Sequence, residues 1–358
     1  MSWSLFTNEN IKIFKLHKYL LKKDNQLLIL IKTERDKIKK FIREHPTIDY
    51  NIIKFNENQI KENDKKIKSY SNTKWVDKKT VQLDIINLDV TYCVKWKTLS
   101  IQNNSCSMCN NNSIIIKTTQ SVIKPILERI KYIIYILEYL KFKSKNITRN
   151  FNIYLVLTQL KKVFPNKDTV LNVINVNSGY TDFTNNIIFI WRLEEFEKVL
   201  FHETIHFFNM DCSNHNVDLI SNINGPHTYF EAITDFFGIF YHLIYLSLIT
   251  RKKIKKLLEL ELAFIKNQAM QVNEHFNLNS WAGTLPKKIY QKTPAFAYYI
   301  LKYMIFDYII TNTNTNTNTT TILIDDYGKL LNDIINNGFK MCKFIKIISS
   351  RMSLLQLK

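Results

Sequence analysis

The chain has 358 residues, 46% of them hydrophobic, with 50 Lys and Arg against 31 Asp and Glu for a formal charge of +19. That apolar content excludes a disordered polymer, and the length suffices for one large core or two modest ones. The five cysteines, Cys93, Cys106, Cys109, Cys212 and Cys342, are too sparse and odd in number for a disulfide framework, which points to a reducing, cytoplasmic compartment.

The charge favours anionic partners such as nucleic acid or acidic membrane. Lys, Asn and Ile are all abundant, however, as an AT-rich gene produces, and no Arg-rich or aromatic-interleaved motif accompanies the charge. A solvated lysine surface is the simpler reading. The opening run MSWSLFTNENIKIFKLHKYLLKK lacks the uninterrupted apolar core of a secretory signal.

In chain order, residues 8 to 45 read as helix, with Ile13, Leu16, Leu20, Leu27, Leu30 and Ile31 set among lysines. The β-branched alternation from Lys78 to Trp96 predicts one or two strands. The polar loop after it holds a lone C-x-x-C, Cys106 and Cys109, which needs Cys93 and a histidine such as His45 to complete a second zinc site. A plain loop is the simpler reading. Residues 119 to 144 predict a helix, with Pro125 ending or kinking its first turn. Strands are expected at 151 to 157, 170 to 176 and 186 to 191 (NIIFIW), then a helix from Leu193 to Phe208 that opens with acidic residues suited to its dipole. Another helix is expected from Gly225 and Pro226 onward, and the apolar stretch Ile233 to Thr250 within it carries Asp235 and His242, so it reads as a buried helix and not a transmembrane span. Thr293 and Pro294 open PAFAYYILKYMIFDYII, after which TNTNTNTNTTT at 311 to 321 reads as a tether and the remainder as one or two amphipathic helices.

His202-Glu203-Thr204-Ile205-His206 is H-E-x-x-H inside a predicted helix. Residues i and i+4 lie one turn apart on one face, so both imidazoles can meet one Zn2+ while Glu203 reaches the water on that metal as general base. Catalytic zinc needs a third protein ligand. Glu231, on the helix expected after Pro226, is the favoured one, with His227 and His215 as alternatives. Asp235, one turn beyond Glu231, is placed to accept the free ring N–H of a zinc-bound histidine, read as His202, and so fix its tautomer. A metzincin is disfavoured, because Asn209 and Cys212 stand where that pattern requires Gly and His. Candidates for stabilising an oxyanion are His227, Tyr229, Tyr298 and Tyr299.

HETIH followed 25 residues later by EAITD resembles the thermolysin-type gluzincin signature, in which H-E-x-x-H precedes E-A-I-S-D on a second helix. The resemblance covers roughly 185 to 245, with a spacing somewhat longer than in thermolysin. It implies His202, His206 and Glu231 as ligands of one zinc ion, Glu203 as base and Asp235 as the histidine's partner. WRLEEFEKVLFHETIHFFNMDCS, VNSGYT and TPAFAYYILKYMIF also resemble a group of zinc peptidases encoded by large cytoplasmic DNA viruses, which implies the host cytoplasm or the virion as location.

The expected fold is α+β: a zincin-like core of a small mixed sheet with an edge strand, an active-site helix and a second ligand helix, inside a mainly helical chain. The expected division is a basic N-terminal region without an assignable role (1–118), the catalytic domain (119–310), the TN linker (311–322) and a helical extension (323–358). The expected activity is zinc-dependent hydrolysis of a peptide or protein substrate, with NIIFIW pairing with it as an edge strand. The alternative is a nucleic-acid-associated or structural viral protein whose zinc site is not proteolytic.

Overall fold

The computed structural model describes residues 4–16, 21–22, 24–76, 78–98, 111–144, 150, 152–166, 169–211, 222–225, 229–311, 327–342, 344–347 and 349–357. In chain order, helices α1 (Leu5–Leu16) and α2 (Gln26–Glu44) precede β1 (Tyr50–Lys54), α3 (Glu57–Tyr70), α4 (Lys78–Ile85), β2 (Val90–Lys97), β3 (Asn111–Thr118), α5 (Gln120–Lys143) and β4 (Asn152–Thr158). Then come the one-turn α6 (Val173–Val176), β5 (Gly179–Asp182), β6 (Ile187–Arg192), α7 (Phe196–Phe207), β7 (Ile223–Asn224), α8 (Phe230–Thr250) and α9 (Ile254–His275). Last are β8 (Ile289–Tyr290), a π-helical segment (Phe296–Leu301) that runs into α10 (Lys302–Thr311), and α11 (Tyr327–Asn337). The described residues form helices, a six-stranded mixed sheet and a two-stranded parallel pair of β7 and β8, which agrees with the α+β expectation at that level.

Two compact units are assembled from discontinuous segments: a sheet unit from Arg35–Lys161 and Ser178–Met210, and a helical unit from Met1–Glu34, Lys162–Asn177 and Asp211–Leu357. In the sheet unit the strand order is β1-β2-β3-β4-β6-β5. β1, β2 and β3 are antiparallel neighbours, β3, β4 and β6 run parallel, and β5 returns antiparallel to β6 at the sheet edge. Successive side chains alternate between the faces. Tyr154, Val156, Tyr180, Ile187, Phe189 and Trp191 pack on one face with Ile67 of α3 and Val81 of α4. Gly179, Thr181, Ile188 and Ile190 therefore point to the opposite face, where α7 packs against β5 and β6, with α5 beside it.

Several sequence expectations are corrected. Residues 8 to 45 are two helices, because Asn25 caps α2: its side-chain oxygen accepts from the Leu28 N–H at 3.4 Å, and its carbonyl from the Ile29 N–H at 3.0 Å. The run expected as strands from Lys78 begins as α4, since Val81, Ile85 and Leu88 fall at helical spacing on one core cluster; only Val90–Lys97 is strand. Residues 173–176 form a helical turn and not a strand, because Asn172 and Asn175 make a capping box that satisfies backbone groups locally. Pro125 neither ends α5 nor breaks its first turn; the helix runs on to Lys143. NIIFIW is not the edge: β6 is paired on both sides and buried throughout, and the edge is β5. Among the described residues after the TN tract one helix is present, α11, within the one or two expected, and irregular chain follows it.

In the helical unit α8 is buried from Ala232 to Ser247. It is long and apolar enough to cross a membrane, but most of that surface is covered within the fold. It packs on α9, α10 and the π-helical segment. Residues 350–357 of the irregular C-terminal chain are also buried, with Ser350, Ser353, Leu354 and Leu355 all at 0% exposure, so this stretch belongs to the unit's core. Pro226, His215, His227, Cys106, Cys109, Cys212 and the tract 312–321 lie outside the described residues.

Candidate metal centre

Helix α7 is buried on nearly every face, and it carries the charged residues Glu197 and Lys198 as well as His202 and Glu203 at no more than 6% exposure. A helix so placed must pair its charges. Glu197 does so with Arg129 of α5, at 2.8 Å between groups 1% and 2% exposed. One turn after His202 the helix stops in a Schellman arrangement: Asn209 takes φ +51°, its N–H bonds the His206 carbonyl at 2.8 Å, and the Met210 N–H bonds the Ile205 carbonyl at 3.0 Å. His206 thereby occupies the last turn, where the helix dipole favours a cation. The two imidazole rings lie edge to face, with centroids 4.8 Å apart, as i and i+4 spacing on one face requires.

Glu203 is held from the edge strand. The Thr181 hydroxyl has one proton and two acceptors within reach on this residue, the carboxylate Oε2 at 2.9 Å and the main-chain carbonyl at 3.0 Å. Beside it, Gly179 lets the helix approach: an added Cβ would stand 2.8 Å from Val199 Cγ1 and 3.2 Å from Glu203 Cγ and Oε1. Because the Trp191 N–H bonds the Ser178 carbonyl, alternation along the antiparallel pair turns the N–H and C=O groups of Gly179 and Thr181 away from β6.

Glu231 lies in the first turn of α8. His202, His206 and Glu231 each offer one ligand atom, and these atoms lie within 4.8 Å of one another. One turn along α8, Asp235 is fully buried, and its Oδ2 accepts from Lys302 Nζ at 2.7 Å. Tyr229, at the N-cap of α8, and Tyr298, in the π-helical segment, are both buried. Tyr299 is corrected as an oxyanion candidate, because its hydroxyl donates to the Ser350 carbonyl at 2.5 Å inside the core. Cys93 sits buried in β2, and burial pushes its thiol up from the ordinary value.

Sequence reasoning missed three residues: Gly179, Thr181 and Lys302. Lys302 had left a signal, being the one cation in the apolar run from Pro294 to Ile310, where a lone charge demands a partner. Gly179 and Thr181 fall in the VNSGYT block that carries part of the resemblance, but that block gave them no role, since the short strand holding them has no alternating apolar pattern. No protein-family profile, curated protein or solved structure matches the chain.

Proposed function

We propose that the chain is a zinc-dependent peptidase of the gluzincin kind, with α7, α8 and the β5 edge as a zincin-like core. The observation that carries the reading is the convergence of two imidazoles and one carboxylate, His202, His206 and Glu231, within 4.8 Å. That donor set suits catalytic zinc, which takes three protein ligands and keeps a fourth position open. His202, His206 and Glu231 would each hold the ion through one donor atom.

When bound, zinc supplies a Lewis acid that polarises a carbonyl and acidifies water. Glu203, oriented by Thr181, takes a proton from the attacking water and delivers it to the leaving amine, so that the peptide bond is cleaved without a covalent intermediate. The outward main-chain groups of Gly179 and Thr181 suit an extended peptide laid antiparallel along β5. Asp235 accepts the free ring N–H of His202, with one oxygen already committed to Lys302. His227, Tyr229 and Tyr298 are the remaining candidates for oxyanion stabilisation.

Substitution Glu203→Gln is expected to leave one zinc per chain, by elemental analysis, while removing turnover of a mixed fluorogenic peptide library. Glu231→Ala is expected to lose the zinc. Turnover retained in the first variant ends the general-base assignment, and zinc retained at full occupancy in the second ends the third-ligand assignment.

A further inference from the structure

The ammonium on Asp235 belongs to a larger buried arrangement within the helical unit. Lys302 is 1% exposed, and besides the 2.7 Å ion pair its Nζ donates to the Met352 carbonyl at 3.2 Å and lies 5.8 Å from the centre of the Tyr299 ring. The same C-terminal stretch is gripped on both sides of Met352. Tyr299 donates to the Ser350 carbonyl, while Glu261 of α9 accepts from the Leu354 N–H at 3.1 Å and the Leu355 N–H at 3.3 Å. Further along, the Thr7 hydroxyl donates to the Leu354 carbonyl at 2.8 Å, and the Gln356 N–H donates to the Thr7 hydroxyl oxygen at 3.1 Å.

Lys302 joins the anchored C-terminal chain to α8. Its position is over-determined, because a buried ammonium needs every hydrogen bond it can make and the site supplies a carboxylate, a carbonyl and a ring face. A carboxylate 0% exposed, in turn, is oriented by the cation beside it.

We infer that Lys302 is a positioning residue for the metal centre: seated against the Met352 carbonyl, it fixes the Asp235 carboxylate one helical turn from the ligand Glu231. This rests on the peptidase reading for the identity of the metal and of Asp235's partner. Lys302 holds one Asp235 oxygen and so sets the orientation in which the carboxylate meets the histidine. Removing a partner outside the ligand shell typically weakens metal binding by about 10- to 100-fold.

The test is zinc affinity by competition with a chromophoric chelator, at a temperature where circular dichroism shows each apo variant folded. Lys302→Met is expected to weaken zinc about 10-fold or more. Asp235→Asn is expected to do the same, and adding Lys302→Met to it is expected to change nothing further, because the lysine acts through the aspartate. The double variant does not strand the Asp235 carboxylate, so this comparison survives if Lys302→Met alone does not fold. Lys302→Arg, which keeps the cation, is expected to recover most of the affinity. Wild-type affinity in Lys302→Met, or a further loss when it is added to Asp235→Asn, overturns the inference while leaving the peptidase reading intact. A wild-type chain that binds no zinc overturns both.

Discussion

Helices α7 and α8 both place a carboxylate beside the candidate metal ligands, yet they hold it by opposite means. On α7 the carboxylate of Glu203 accepts from a neutral hydroxyl, Thr181, and the helix's buried ion pair is set back at Glu197 and Arg129. On α8 the carboxylate of Asp235 is paired directly with an ammonium. The difference fits the two jobs. A general base has to gain and lose a proton, so a neutral donor can orient it without locking its charge, whereas a histidine's partner has to remain anionic, which a fixed cation ensures.

The comparison makes the helical unit depend on buried charge and the α7 site on shape. The largest effect should therefore come from Lys302→Met, which strands a buried aspartate and is expected to cost about 3–5 kcal/mol in denaturant unfolding. Most of that loss should return in the Lys302→Met, Asp235→Asn double variant; equal losses in both would remove the charge account of α8.

Gly179→Ala tests shape at the other helix. Its Cβ meets a stiff, β-branched neighbour, Val199, at 2.8 Å, so an overpacking cost of about 1–3 kcal/mol is expected, together with a fall in turnover as Glu203 is pushed aside. Adding Val199→Ala should restore part of both. No recovery would mean that the glycine serves some purpose other than close approach.

Glu261 gives the helical unit a pH dependence. Desolvation, the largest influence, pushes its carboxyl up to about 7 despite hydrogen bonds from the Leu354 and Leu355 N–H groups and the Ser353 hydroxyl, and despite the charge of Lys302. The native state then keeps a proton that the unfolded chain releases near its ordinary value of 4.5. The stability this contributes is complete below the unfolded value and is lost as pH rises through about 7. Wild type should therefore lose stability relative to Glu261→Gln between pH 5 and pH 8; a constant difference across that range would show that the carboxyl titrates alike in both states.

The smallest effect is expected for Thr181→Val, about 1 kcal/mol of stability for one hydrogen bond, with turnover reduced at unchanged zinc content. Thr181→Ser should behave as wild type. If both variants do, the hydroxyl does not orient the base.

How much of this could be read from the sequence follows from the range of the interactions. The H-E-x-x-H spacing acts within one turn of helix, so α7 and its two imidazoles were legible from five residues. Glu231 and Asp235 were legible because they share a face of one apolar helix. The edge strand was not, since Gly179–Asp182 is short and polar and owes its conformation to pairing with β6. Residues 173–176 misled for a related reason: Val173, Ile174 and Val176 suit a strand, but two asparagines close a local capping box that outweighs the propensity. The C-terminal chain was read as helix from its apolar content, whereas its main chain is satisfied by side chains as remote in sequence as Thr7 and Glu261.

The most direct measurement is zinc K-edge X-ray absorption on the zinc-loaded wild-type chain and on Glu231→Ala. The account predicts a shell of nitrogen and oxygen donors with outer-shell scattering from two imidazoles, and a lost or altered oxygen contribution in the variant. A third imidazole, a sulfur donor, or identical spectra from the two proteins would contradict it.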